Sequence, residues 1–270
     1  MHDPVVVAWQ NLNMVKELQK KPARPGVRFF YPGNLGSGAE VRLPADAAYH
    51  AVRVLRLSVG ETVVLFNGQG GEFEARITRI GKGDVSVKTG AQSDPQRESA
   101  LDLILAQGVS SGDRMDLTLQ KSVELGVASI QPLTTERSIV RLSGERAARR
   151  AEHWQNLVIA ACEQCGRNRV PQVAPLMRYG EWLGALPGQC ATGELRLLLA
   201  PEATLPIRAL PKSASRVILL AGPEGGFSAA EAGMAASRGF VAVRLGPRVL
   251  RTETAALAAL AAFQALWGDF

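Results

Sequence analysis

From Val27 to about Thr89 short apolar runs alternate with polar positions at the two-residue period of half-buried strands. Val41–Arg–Leu43 reads as one strand, and Val85 and Val87 alternate with polar neighbours in another. Thr62–Phe66 and Phe73–Ile77 flank Asn67-Gly68, which predicts a hairpin with its turn chemistry in place. Asp46 is placed to cap a short helix running to about Leu57, with Ala48, Val52 and Leu55 on one face. These elements predict a small β-barrel-like domain over 27–92. Ahead of it, 1–26 is basic and broken by prolines, the texture of a tail, and polar 93–99 reads as a linker.

Over 100–270 the pattern becomes alternating strands and helices. Strands are expected at Leu101–Ala106, Val127–Leu133, Leu195–Ala200, Val217–Ala221 and Val241–Leu245. Helices are expected over 144–165, 228–238 and 252–267, and over Asp113–Leu125 with Met115, Leu119 and Val123 inward and Gly126 closing it. Ser228 with Glu231 forms a capping-box pattern. Apolar strands alternating with helices predict an α/β domain on a mostly parallel sheet.

Composition narrows the function classes. Hydrophobic residues make up 46% and charged residues 21%, which excludes a disordered, collagen-like or coiled-coil chain. A net charge of +6 permits an anionic partner such as nucleic acid without requiring one. Three dispersed histidines and three cysteines are too few for a rich metal centre, and no metal is expected. Cys162 and Cys165 share a helix face and read as packing, and the odd cysteine count fits a reducing, cytoplasmic setting. The longest apolar run, Ala255–Phe263, falls well short of the roughly 20 residues of a membrane span.

Two loops carry the chemistry. A parallel sheet places its ligand at the C-terminal ends of its strands. There, Leu220–Ala–Gly–Pro–Glu–Gly–Gly–Phe–Ser228 leaves one strand and Leu245–Gly–Pro–Arg–Val–Leu–Arg–Thr–Glu–Thr–Ala255 leaves another. Glycines around a lone carboxylate let backbone groups approach a ligand closely. Neither loop is a dinucleotide fingerprint or a P-loop.

AGPEGGFS at 221–228 and RLGPRVLRTETA at 244–255 resemble the paired C-terminal motifs of SPOUT methyltransferases, and more closely those of the RsmE family. The resemblance extends to Arg28–Phe–Phe30, His50–Arg56, Gln120–Gly126, Thr135–Ser138 and Ala161–Arg167, in order. It implies a PUA-like RNA-binding domain followed by a SPOUT domain whose loops form a deep trefoil knot. It also implies S-adenosylmethionine as cofactor and methylation of N3 of one uridine in bacterial 16S rRNA, on the small ribosomal subunit. On this resemblance Leu199, Pro201, Gly222, Glu224, Gly225, Leu245, Leu250, Arg251, Thr254 and Ala255 fall on cofactor loops. Leu245, Val249 and Leu250 are suited to line an apolar adenine slot.

N3 of uridine must lose its proton to accept a methyl group, and the base must be presented unpaired. Arg251 is the candidate to stabilise the resulting negative charge, while the proton acceptor stays open among Glu224, Glu163 and Glu253. Candidate RNA contacts are Arg28, His50, Arg53, Arg56, Lys121, Arg137 and Arg167. Residues 137–178 add a second basic region, with eight arginines against three glutamates. Ala256, Leu260, Phe263 and Trp267 form one apolar stripe on the last helix. The family resemblance implies a homodimer through that region. Three rival readings remain: a SPOUT enzyme with another RNA target, a non-catalytic RNA-binding assembly factor, and a metal or thiol enzyme using Cys162 and Cys165.

Overall fold

The computed structural model describes residues 26–211 and 213–270, so nearly all of the expected tail lies outside the described residues. Two sheets organise the rest. The first has five strands in the order β1-β3-β4-β5-β2, with β1 (Arg28–Phe30), β2 (Glu40–Arg42), β3 (Thr62–Phe66), β4 (Glu72–Ile80) and β5 (Val85–Ser93). Only the β1–β3 pairing is parallel. Alternate residues Val63, Leu65, Ala75, Ile77, Val85 and Val87 face one small core with Phe29 and Leu43.

Three details depart from the sequence reading here. Helix α1 (Ala45–Tyr49) starts from Pro44, with Asp46 inside its first turn, and continues as a π-type turn over His50–Val54. The wider turn rotates the inward face, so Ala48 and Ala51 are buried whereas Leu55 is exposed. The hairpin forms, but the Asn67-Gly68 turn signal opens a five-residue loop, 67–71, that reaches out to pair with 168–170. The polar stretch after β5 is anchored: Arg97 bonds to Glu72, and Glu98 accepts from Arg167, Asn168 and Arg169.

The second sheet is parallel in every pairing among the described residues. Its order is β11-β13-β10-β12-β6-β7-β8, with β9 also beside β7. The strands are β6 (Asp102–Gly108), β7 (Ser129–Thr134), β8 (Gln172–Val173), β9 (Met177–Arg178), β10 (Glu194–Leu199), β11 (Leu205–Pro206), β12 (Arg216–Ala221) and β13 (Val241–Arg244). The helices are α2 (Gly112–Glu124), α3 (Gly144–Cys165), α4 (Tyr179–Ala185), α5 (Ala229–Ser237) and α6 (Thr252–Trp267).

Strand periodicity sorts the core into two layers. Leu103, Leu105, Val217 and Leu219 pack under α2, α3 and α6 with Trp154 and Phe263. Ala106, Leu198, Ile218 and Leu220 face Tyr179, Trp182 and Ala235 of α4 and α5. Cys162 is buried in the first layer, and burial pushes its thiol up to about 12 and the Cys165 thiol up as well, so both are packing groups. Ala256, Leu260 and Phe263 of the α6 stripe are fully buried and Trp267 stacks on Phe263 at 5.5 Å, which makes that stripe core. No helix among the described residues is long and apolar enough to cross a membrane.

Candidate active site

The C-terminal ends of β10, β12 and β13 diverge around one cavity of about 750 Å3. Three loops wall it: 198–202 after β10, 221–229 after β12 and the segment from Val243 to Ala255 after β13. Every residue assigned to a cofactor loop lines it except Thr254, which is exposed on the first turn of α6. Two residues earlier, Thr252 donates its hydroxyl to the Gly222 carbonyl.

That carbonyl ties the two loops together. Gln107, fully buried at the end of β6, also donates to it at 3.2 Å. The backbones press so close that a Cβ on Gly108 would meet Pro223 at 2.5 Å, which is why no side chain is present there. On the far wall a capping box joins Ser228 and Glu231 at the start of α5. Glu231 also accepts the Glu136 N–H, and Arg137 donates to the Gly225 carbonyl, so loop 135–138 braces the glycine loop.

Glu224 is pinned rather than poised. Its Oε1 accepts the Ser111 N–H at 2.9 Å, the Ser111 hydroxyl at 2.7 Å and the Arg114 guanidinium at 2.9 Å. Burial alone would raise this carboxyl, but those bonds outweigh it and bring it down to about 2. A carboxyl lowered on folding stabilises the fold above its unfolded value of 4.5 and loses that contribution as pH falls toward about 2. Thermal melts between pH 5 and 2 are therefore expected to fall more steeply for the wild type than for Glu224→Gln. Equal slopes would show that the contact carries no stability.

Glu253 also lines the cavity, and one buried oxygen each of Glu224 and Glu253 has no partner. Around these carboxylates Arg114, Arg137, Arg244, Arg248 and Arg251 form a basic lining. Arg244, Arg248 and Arg251 make no side-chain bond among the described residues. Arg114, Arg244 and Arg248 were not singled out by sequence, although the last two stand inside the recognised 244–255 motif.

Other candidates lie elsewhere. Glu163 is outside the cavity lining, where it accepts the Phe30 N–H at 2.8 Å; burial raises its carboxyl above the ordinary range. Arg28 and Arg167 are corrections to the RNA-contact reading, because both are buried. Arg28 pairs with Glu72, and Arg167 bonds Glu98 and the carbonyls of Val123 and Val127. Lys121 is paired with Glu124 on the helix surface. His50, Arg53 and Arg56 are exposed beside Tyr49, and Arg56 takes a left-handed backbone, φ 55°. No group of three or more potential metal ligands occurs among the described residues.

Residues 97–264 match the family model of an RNA methyltransferase domain, and 43–89 match that of an RNA methyltransferase PUA domain. The chain is 32% identical over 252 residues to ribosomal RNA small subunit methyltransferase E of Buchnera aphidicola subsp. Schizaphis graminum, covering 93% of this chain and 99% of that one. A Neisseria gonorrhoeae ribosomal RNA small subunit methyltransferase E, solved bound to S-adenosyl methionine, superposes with a TM-score of 0.83 at 43% identity. A Legionella pneumophila methyltransferase, solved with its bound cofactor SAM, gives 0.85 at 41%. Each of the two structures covers 91% of this chain and 99% of its own. The PUA-like sheet, the parallel α/β layer and these matches together show that the chain belongs to the ribosomal RNA small subunit methyltransferase E family of RNA methyltransferases.

Proposed function

We propose that this protein transfers a methyl group from S-adenosylmethionine to N3 of a uridine in small-subunit ribosomal RNA, with the cofactor held in the β10–β12–β13 cavity. The observation that carries this is the cavity itself: glycine-lined backbone, apolar Leu245 and Leu250, and two buried carboxylate oxygens without partners. A volume of about 750 Å3 suits a ligand of that size. Free carboxylate oxygens suit a cationic one. S-adenosylmethionine supplies an electrophilic methyl on a positively charged sulfur; the chain must do the rest.

Its residues divide as follows. Gly222, Gly225, Leu199, Pro201, Val249 and Ala255 shape the slot, and Glu224 is spent holding its loop to Ser111 and Arg114. Glu253 is the one of the three proposed proton acceptors that lines the cavity with neither carboxylate oxygen hydrogen-bonded among the described residues, whereas Glu224 is held at Oε1 and Glu163 lies elsewhere. We therefore assign it the N3 proton and assign Arg251 the charge left on the base. RNA is guided by Arg53, Arg56 and His50 on the PUA-like module and by the cavity arginines. The same proposal includes the division into modules at 27–92 and 100–270, the trefoil knot formed by the loops of the 221–228 and 244–255 motifs, a cytoplasmic setting and a homodimer. Exposed apolar Val249, Leu266 and Phe270 support the last.

Glu253→Gln is expected to lower kcat for small-subunit methylation by about 10²-fold or more, a fall larger than any accompanying loss of calorimetric cofactor affinity. Wild-type turnover in that variant would remove Glu253 from the chemistry. Failure of the wild type to bind S-adenosylmethionine would remove the cavity from it.

A further inference from the structure

The contact between the two sheets is organised around buried charge. Arg28 of β1, its side chain 1% exposed, donates to Glu72 of β4 at 2.5 Å and to Asn168 Oδ1 at 2.6 Å. It also reaches the Arg167 carbonyl and lies over the Phe66 ring at 4.8 Å. Arg97 reaches the same Glu72 from the connecting segment, and Glu98 clasps Arg167 and the N–H groups of Asn168 and Arg169. Beside this cluster the backbones pair directly: Gly70 N–H donates to Asn168 O and Val170 N–H to Gly68 O, both at 3.1 Å. Glu163 completes the seam by accepting the Phe30 N–H.

A buried ion pair is a poor device for stability alone, since matched apolar residues do as well or better. This cluster is not even fully satisfied, because Arg28 Nε and Asn168 Nδ2 are buried without partners. What a planar guanidinium fork offers over an apolar patch is direction: it binds at one angle, whereas apolar surfaces slide. The seam joins the module bearing exposed Arg53 and Arg56 to the layer bearing the cavity.

We propose that Arg28 and Glu72 are positioning residues that fix the angle between the PUA-like module and the cavity, so that RNA held on the first presents its base to the second. This rests on the methylation reading above. A misaligned seam leaves RNA and cofactor bound but carries the base away from its reactive geometry, and small displacements there cost about 10²-fold in rate.

The test compares wild type, the Arg28→Met/Glu72→Leu double variant and Arg28→Lys in small-subunit methylation, with cofactor affinity measured separately. Pulsed electron-spin distances between labels at Lys82 and Ser237, with Cys190 replaced, report the angle without needing activity. The double variant is expected to broaden the distance distribution and to lose about 10²-fold in kcat, with KM and cofactor affinity within about threefold of wild type. Arg28→Lys, which keeps the charge without the fork, is expected to fall between. Gly68→Val provides an independent route to the same signature: Gly68 has φ 81° and its Cβ would sit 3.0 Å from Val170. An unchanged distribution, or a broadened one with wild-type kcat, overturns the proposal, as does a loss confined to cofactor affinity. Broadening in a protein whose wild type methylates nothing would count against the methylation reading and leave the joint standing.

Discussion

Arg251→Ala is expected to lower methyl transfer by about 10²–10³-fold, the usual cost of removing one group that stabilises charge forming in the transition state. Arg251 is placed for that role by the fold. It is the N-cap of α6, exposed at the cavity, with extended backbone and no side-chain partner among the described residues. Because its guanidinium supports nothing in the fold, the melting temperature should stay essentially unchanged. Single-turnover rates on small subunits, measured beside thermal melts, separate the two effects. A large fall in melting temperature would make Arg251 structural, and an unchanged rate would remove it from the chemistry.

The largest effect on stability is expected from Phe263→Ala. Phe263 is fully buried in the layer between α6, α2 and the sheet, and stacks on Trp267. Truncating such a ring costs about 3–5 kcal/mol. In a chain of this size each kcal/mol lowers the melting temperature by about 2–4 °C. The damage should also reach the site, because α6 begins at Thr252, whose hydroxyl holds the Gly222 carbonyl. Folded Phe263→Ala is therefore expected to bind S-adenosylmethionine more weakly than wild type, measured calorimetrically well below its melting point. Full affinity in that variant would show that the loop clamp is independent of α6 packing.

The long elements were legible because their punctuation is local. Ser143 and left-handed Gly166 bracket α3, and the Ser228–Glu231 box opens α5, so those boundaries follow from chemistry within a few residues. The core layers were legible for a related reason: one residue in two along β6 and β12 is apolar on each face, and both faces are covered. Two-residue β8, β9 and β11 and seven-residue α4 were not read, being too short to show any period. The π-type turn at His50–Val54 was read as ordinary helix, since nothing in its composition marks a wider turn.

The site was legible through its motifs, and what failed was the sorting of charges. A buried arginine and an RNA-facing one look the same in a sequence. Arg28 and Arg167 find their partners Glu72 and Glu98 only when segments 44 and 69 residues apart meet. The three carboxylates behaved likewise. Only folding shows that Glu224 is clamped by Ser111 and Arg114, that Glu163 faces the seam, and that Glu253 alone lines the cavity without such anchoring.

The most direct measurement is nucleoside mass spectrometry of 16S rRNA from small ribosomal subunits lacking the modification, after incubation with this protein and methyl-labelled S-adenosylmethionine. Labelled 3-methyluridine, absent when Arg251→Ala replaces the wild type, is the expected result. Cofactor binding with no methylated nucleoside, or label appearing on a different base, would contradict the assignment.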